Sequence, residues 1–254
     1  MARIIAVTNQ KGGVGKTTTS INVAYFLAKM GKRTLLVDFD PQGNATSGLG
    51  FDKQQLGATI AEVITRQIRL GDIIQPTDYK DLSLAPSMSH LANTEVELAQ
   101  AEGRFVRLRE ALSKTIDYDY IIIDCPPSLS LLTVNGLVAA QYVLLPVQAE
   151  FYALEGLGQL LESMKLIRKG LNPSLELLGV LLTMMDSRTT LSNQVHDEVK
   201  KHFASTIFKT TIPRNIRLAE APSHGTPVGV YDRFSKGARA YKALTKEIIE
   251  RTGA

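Results

Sequence analysis

Six side chains in the first half of the sequence could do chemistry together: Lys11, Lys16, Thr17, Asp38, Asp40 and Asp124. Three of them stand in the stretch Asn9-Gln10-Lys11-Gly12-Gly13-Val14-Gly15-Lys16-Thr17-Thr18. Glycines let backbone N–H groups turn inward with no Cβ in the way, which makes a cradle for phosphate oxygens. A helix opening at the end of such a loop adds free N–H donors and the positive end of its dipole. Lys16 then suits a bridge between β- and γ-phosphates, and the Thr17 hydroxyl suits Mg²⁺, a hard cation that wants oxygen. The usual loop has glycine where Gln10 stands. This sequence instead has the form Lys-Gly-Gly-x-Gly-Lys-Thr, with an extra lysine at Lys11.

The elements around the loop agree with it. Ile4-Ile5-Ala6-Val7-Thr8 is a buried-strand signal, and Thr17 to Met30 reads as a helix closed by Gly31. Thr34 to Asp38 reads as a second strand, running into Asp38-Phe39-Asp40-Pro41-Gln42-Gly43-Asn44. Carboxylates at a strand's C-terminal end lie where open α/β sheets bind ligands. Asp40 is the candidate to orient an attacking water, with Asp38 nearer the metal. The same residues also suit a polar turn capping the next helix, which fits Asn44 and Thr46 better than Asp40. Tyr120 to Asp124 is apolar on both faces and so predicts a central strand. Its terminal Asp124 beside a phosphate loop is placed to hold Mg²⁺ through a water. One thiol cannot build a metal site, so Cys125 reads as core.

Further strands are expected at Leu82 to Pro86, Tyr142 to Val147 and Leu177 to Met184. Helices are expected at Thr59 to Thr65, within Ala92 to Lys114, from Glu150 to about Lys169, at Asn193 to Phe203 and at Gly237 to Arg251. Arg104, Arg107 and Arg109 read as a solvated face, and Ile212 to Arg217 as a short strand and loop. Ala238, Tyr241, Leu244 and Ile248 repeat at helical spacing. Strands alternating with helices predict an α/β fold: a doubly wound, mostly parallel sheet with helices on both faces, one domain over residues 1–254.

With 254 residues, 44% hydrophobic and 21% charged, the chain can bury a substantial core. No apolar run reaches the length of a membrane span, and no signal peptide precedes the first strand. One cysteine in the sequence fits a reducing cytoplasm. The net charge of +4 is uneven: the stretch from Asp186 to Ala254 holds twelve Lys/Arg against seven Asp/Glu.

Taken in order, these motifs resemble the ParA/Soj-type chromosome-partitioning ATPases, within the deviant Walker A P-loop group that includes MinD. Val37 to Asn44 is similar to the family's first switch, and Ile123-Asp124-Cys125-Pro126-Pro127-Ser128 resembles the second. Pro146 to Glu150 with Tyr152 to Gly156, then Pro213-Arg214-Asn215 and Glu220 to Gly225, resemble further family segments. The resemblance implies an ATP-dependent homodimer using ATP and Mg²⁺, slow hydrolysis, and stimulation by a ParB-like partner. It implies that Lys11 reaches the partner subunit's nucleotide, that Gly12 lies where two subunits meet, and that Pro213 and Asn215 contact adenine. Arg188 and Arg217 are the DNA-contact candidates by family match, followed by Lys200, Lys201, Arg239, Lys242 and Lys246. The chain starts at the first strand, so the helix-turn-helix of larger plasmid ATPases is not expected. DNA binding should then be non-specific and the protein cytoplasmic, on the nucleoid. A MinD-like membrane-associated ATPase is the alternative; it would need a terminal amphipathic helix beyond the fold.

Overall fold

The computed structural model describes residues 2–114, 117–150 and 153–253. A seven-stranded sheet organises it, in the order β3-β4-β2-β5-β1-β6-β7. The strands are β1 (Arg3–Val7), β2 (Thr34–Asp38), β3 (Gln75–Pro76), β4 (Leu82–Ala85), β5 (Tyr120–Asp124), β6 (Tyr142–Gln148) and β7 (Glu176–Thr183). All neighbours are parallel except the two-residue β3, which runs antiparallel to β4. β3 carries no apolar alternation and was not expected. Between the strands lie α1 (Lys16–Lys29), α2 (Asn44–Gly48), α3 (Ile60–Ile64), α4 (Leu91–Leu98), α5 (Arg107–Leu112), α6 (Leu131–Ala139) and α7 (Ala153–Gly170). After β7 come α8 (Thr190–Phe203), α9 (Ile216–Glu220), α10 (Val228–Tyr231) and α11 (Lys236–Arg251).

The strands bury both faces, and alternate residues serve alternate cores. Ile5, Val7, Leu36, Tyr120 and Ile122 pack with α1 and with Ala238, Tyr241, Leu244 and Ile248 of α11. Ala6, Leu35, Val37, Ile121 and Ile123 pack on the other face with α3, α4, α5 and α6. A third cluster joins Leu145, Val147, Val180 and Leu182 to α7 and to Val195 and Val199 of α8. The doubly wound α/β arrangement expected from the sequence is therefore present. Both β2 and β6 lead away from β1 on opposite sides, so β1 ends at the crevice where open sheets bind ligands.

The stretch 92–114 holds helices as expected, two of them, α4 and α5, with Gly103 at φ 68° between them. Two local expectations change. Arg107 is not on a solvated face: it is buried, and its guanidinium donates to the Glu102 carbonyl at 2.6 Å. Ile212 to Arg217 is not a strand but an isolated bridge between Met185 and Pro213 that gives way to α9. Pro213 lacks the N–H to extend a ladder, and Asn215 turns the chain into the helix.

Candidate nucleotide site

β1 delivers the chain to the glycine loop, and the loop is pinned from the side. The Asn9 side-chain amide donates to the Pro146 carbonyl at 2.7 Å, and its oxygen accepts the Lys11 N–H at 3.0 Å. Thr183 Oγ1, at the end of β7, donates to the Val14 carbonyl at 2.9 Å. Gly13 and Gly15 have φ of 74° and 88°, a region that side chains rarely adopt. A Cβ at Gly12 or Gly13 would meet nothing within 4 Å, so the cradle is open above them. Lys16 to Thr19 form the first turn of α1, and Thr17 and Thr18 are half-buried there.

The two lysines of the loop are disposed oppositely. Lys16 is buried, and its Nζ donates to the Lys11 carbonyl at 3.1 Å, across the loop. Burial lowers its pKa, while Asp124 and Asp40 oppose that shift. Lys11 faces outward, and its Nζ meets Glu150 Oε2 at 2.9 Å with both side chains 45% exposed. Gln148 Nε2 donates to the other oxygen of Glu150.

Asp38 and Asp124 stand side by side in register on β2 and β5, and both are fully buried. Burial pushes the Asp124 carboxyl well up, and the neighbouring Asp38 adds to it, against hydrogen bonds from Thr17 and Ser20. Burial raises Asp38 as well. Their oxygens differ in use. Asp38 Oδ2 accepts both the N–H and the hydroxyl of Thr46 at 2.7 Å, and Oδ1 accepts the Asp40 N–H at 3.3 Å. Asp124 Oδ1 accepts the Ser20 hydroxyl at 2.8 Å, whereas its buried Oδ2 has no hydrogen-bond partner. The polar-turn reading thus describes Asp38 and Thr46, and Asp124 carries the uncommitted oxygen. Among the described residues no three His, Cys, Asp or Glu could hold a metal by themselves. The unpartnered Oδ2 of Asp124 suits Mg²⁺, which takes one or two protein oxygens and completes its shell with phosphates and waters.

Asp40 is buried close by. Its Oδ1 accepts the Gln42 N–H at 2.9 Å, and its carbonyl accepts the Ser87 hydroxyl at 2.8 Å. The Ser87 N–H in turn donates to Thr46 Oγ1 at 3.0 Å. Beyond β7, where Pro213 bridges Met185, Asn215 has a buried Oδ1 with no hydrogen-bond partner. Cys125 is core: burial pushes its thiol up, and its Sγ packs against Gly136.

The structure brings Lys11, Gly12, Gly13, Val14, Gly15, Lys16, Thr17, Thr18, Asp38, Asp40 and Asp124 to one crevice. Glu150, Ser87, Thr183 and Ser20 belong there too and were not singled out. Ser20 was findable, one helical turn after Lys16 on the same face. Phe151 and Tyr152 lie outside the described residues. The DNA-contact candidates lie elsewhere: Arg217 on α9, Lys200 and Lys201 on α8, Arg239 and Lys242 on α11, all exposed. Arg188 pairs with Asp186, Lys201 with Glu198, and Arg217 with Glu220 and Asp232.

This loop, the register-paired carboxylates and this sheet define a P-loop nucleotide-binding protein. The sequence matches a family described as an AAA domain over residues 2–177. It is 54% identical over 249 residues to the sporulation initiation inhibitor protein Soj of Bacillus subtilis (strain 168), covering 98% of each chain. It is 50% identical over 252 residues to the chromosome partitioning protein ParA of Myxococcus xanthus, covering 99% of this chain and 89% of that one. The chain belongs to the Soj/ParA family of chromosome-partitioning ATPases. Among solved structures, a cobyrinic acid a,c-diamide synthase from Mycobacterium smegmatis with bound ADP and magnesium superposes with a TM-score of 0.88 at 38% identity, covering 100% of this chain and 96% of that one. The septum site-determining protein MinD of Pyrococcus horikoshii OT3, complexed with Mg-ADP, gives 0.81 at 26% identity, covering 100% and 98%.

Proposed function

We propose that this chain is an ATPase that dimerises around ATP, binds duplex DNA without regard to sequence as that dimer, and is switched off by a ParB-like, DNA-bound activator. It acts as one domain over residues 1–254. The observation that carries the reading is the opposite disposition of Lys16 and Lys11 on one loop. Lys16 is turned inward and serves its own subunit's phosphates. Lys11 is turned outward, where a second subunit can receive it. A cation delivered in trans stabilises the charge that develops as the γ-phosphoryl group leaves.

The remaining roles follow from which atoms are free. Thr17, and Asp124 through a water on its uncommitted Oδ2, would hold Mg²⁺. The bound ion supplies charge neutralisation at the β- and γ-phosphate oxygens. Asp38 stays beside it and fixes the turn at Thr46. Asp40 orients the attacking water with the carboxylate oxygen that Gln42 leaves free. Asn215 Oδ1 accepts a hydrogen bond from the adenine amino group, and Pro213 packs beside it. The ADP and magnesium in the related structures support this assignment. Arg188 and Arg217, with Lys200, Lys201, Arg239 and Lys242, supply phosphate contacts to DNA.

Light scattering with ATP, with ADP and without nucleotide tests the switch. Wild type should double its mass only with ATP. Lys16→Ala should stay monomeric, and Asp40→Ala should accumulate as a dimer. Equal mass in ATP and ADP would sink the reading. Two other readings have support from a neighbour's name. A MinD-like protein would pellet with liposomes rather than shift DNA. A synthase would consume ATP in response to a small carboxylic acid.

A further inference from the structure

The surface made by α9, α10 and the start of α11 shows large apolar side chains among its cations. Phe234 is 72% exposed and Ile216 68%. Phe234 stands in the turn before α11, and Asp232 ties it to Arg217. One oxygen of that carboxylate accepts the Phe234 N–H at 3.1 Å; the other meets Arg217 Nε at 3.4 Å. The Arg233 guanidinium lies 4.6 Å from the centroid of the Phe234 ring. Lys236 and Arg239 are exposed on the first turn of α11. Both acids of this surface, Glu220 and Asp232, already face Arg217. Arg233 and Lys236 have no ion-pair partner among the described residues. A scattered exposed phenyl ring needs no explanation. A ring held out by a hydrogen-bonded turn and flanked by cations has the composition of a wedge that enters a groove.

We infer that Phe234 presses its ring against a base step of duplex DNA while Arg217, Arg233 and Lys236 take the phosphates around it. This rests on the DNA-binding reading above and adds to it a contact that is not ionic. The charge of the surface selects the occupant: a polyanion is attracted, and a second copy of the same face is repelled. Every base step offers an apolar face, so the contact leaves binding blind to sequence. Partial unstacking at the wedge bends the duplex.

The test is a salt titration of duplex binding by the full chain with ATP, comparing wild type, Phe234→Ala, Phe234→Leu and Arg217→Ala. Light scattering follows the dimer in parallel. Phosphate contacts set the slope of log affinity against log salt, and an apolar contact sets only its height. Phe234→Ala should weaken binding about ten-fold, with slope and dimer mass unchanged. Phe234→Leu should recover part of the loss, and Arg217→Ala should flatten the slope. A duplex carrying a dye at each end should shorten with wild type and not with Phe234→Ala. Full affinity in Phe234→Ala, or a loss seen only in the slope, overturns the wedge and leaves the DNA reading standing. Loss of the ATP dimer in Phe234→Ala overturns it in favour of a subunit contact. A wild type that binds no duplex with ATP overturns both.

Discussion

Lys11 is engaged by a carboxylate of its own chain, Glu150, and that pair must open before the lysine can serve another subunit. Both partners are half-exposed, so the pair contributes about 0–1 kcal/mol. Glu150→Gln should leave the melting temperature nearly unchanged and release Lys11. Because each dimer opens one such pair in each subunit, the ATP dimer should then form at up to about thirty-fold lower protein concentration, read by light scattering across a dilution series. Weaker dimerisation would mean that Glu150 acts within the dimer. Asp38 and Asp124 give a second prediction. Burial raises both carboxyls, so the folded chain favours their protonated forms. That stability is present at low pH and lost as pH rises beyond the ordinary carboxylate range, about 4. Without Mg²⁺, wild type should melt lower at about pH 8 than at about pH 5. Asp124→Asn should remove much of the difference and abolish ATP hydrolysis. An unchanged pH dependence in Asp124→Asn would place the destabilising charge elsewhere. Lys16, Thr17 and Asp124 were legible because their roles follow from position after a strand or at a helix start. Glu150, Ser87 and Thr183 were not. Their roles come from tertiary approach to residues 139, 47 and 169 positions away, and nothing local in the sequence marks such a meeting.

At the scale of elements, the turn after β2 shows how a loop is made rigid enough to place Asp40. Asp38 and Thr46 close it from within, and Ser87 at the end of β4 braces it from outside. Gly43 makes the close approach possible: its φ is 60°, and a Cβ there would fall 2.6 Å from the Ser87 carbonyl. Gly43→Ala should therefore lower stability by about 1–2 kcal/mol in denaturant titration and reduce hydrolysis more than ATP affinity. An ATPase rate equal to wild type would show that the brace does not position Asp40. The strands and long helices were legible from apolar runs and helical spacing. The strand expected at Ile212 to Arg217 failed for a specific cause: Pro213 stops a ladder from forming. Gly103 settles the stretch 92–114 as two helices rather than one. The short β3 pairs only through two residues, too few to leave a periodic signal.

At the scale of the molecule, the proposed ATP dimer and the basic C-terminal quarter together predict that DNA binding is a property of the dimer. Phosphate contacts are individually weak, and one subunit offers few of them. Two subunits joined by ATP present both sets on one body, so the second binds at high effective concentration. Binding should require ATP and weaken with salt at a log–log slope of about −0.9 per phosphate neutralised. Gel shifts with ATP and ADP over a salt series read this directly. Equal affinity in both nucleotides would separate DNA binding from the switch.

The position of β1 has a consequence for how the protein is made. β1 and its phosphate loop leave the ribosome well before the strands on either side of β1, β5 and β6, whose residues begin at Tyr120 and Tyr142. At about 5–20 residues per second, the loop waits on the order of ten seconds for the partners that hold Asn9 and Val14 in place. During that interval an apolar strand is without neighbours and no nucleotide can be gripped, so ATP cannot guide the early stages of folding. A nascent chain arrested before Tyr142 should be cut readily by protease whether or not ATP is present. One carried past the end of α11 should be protected by it.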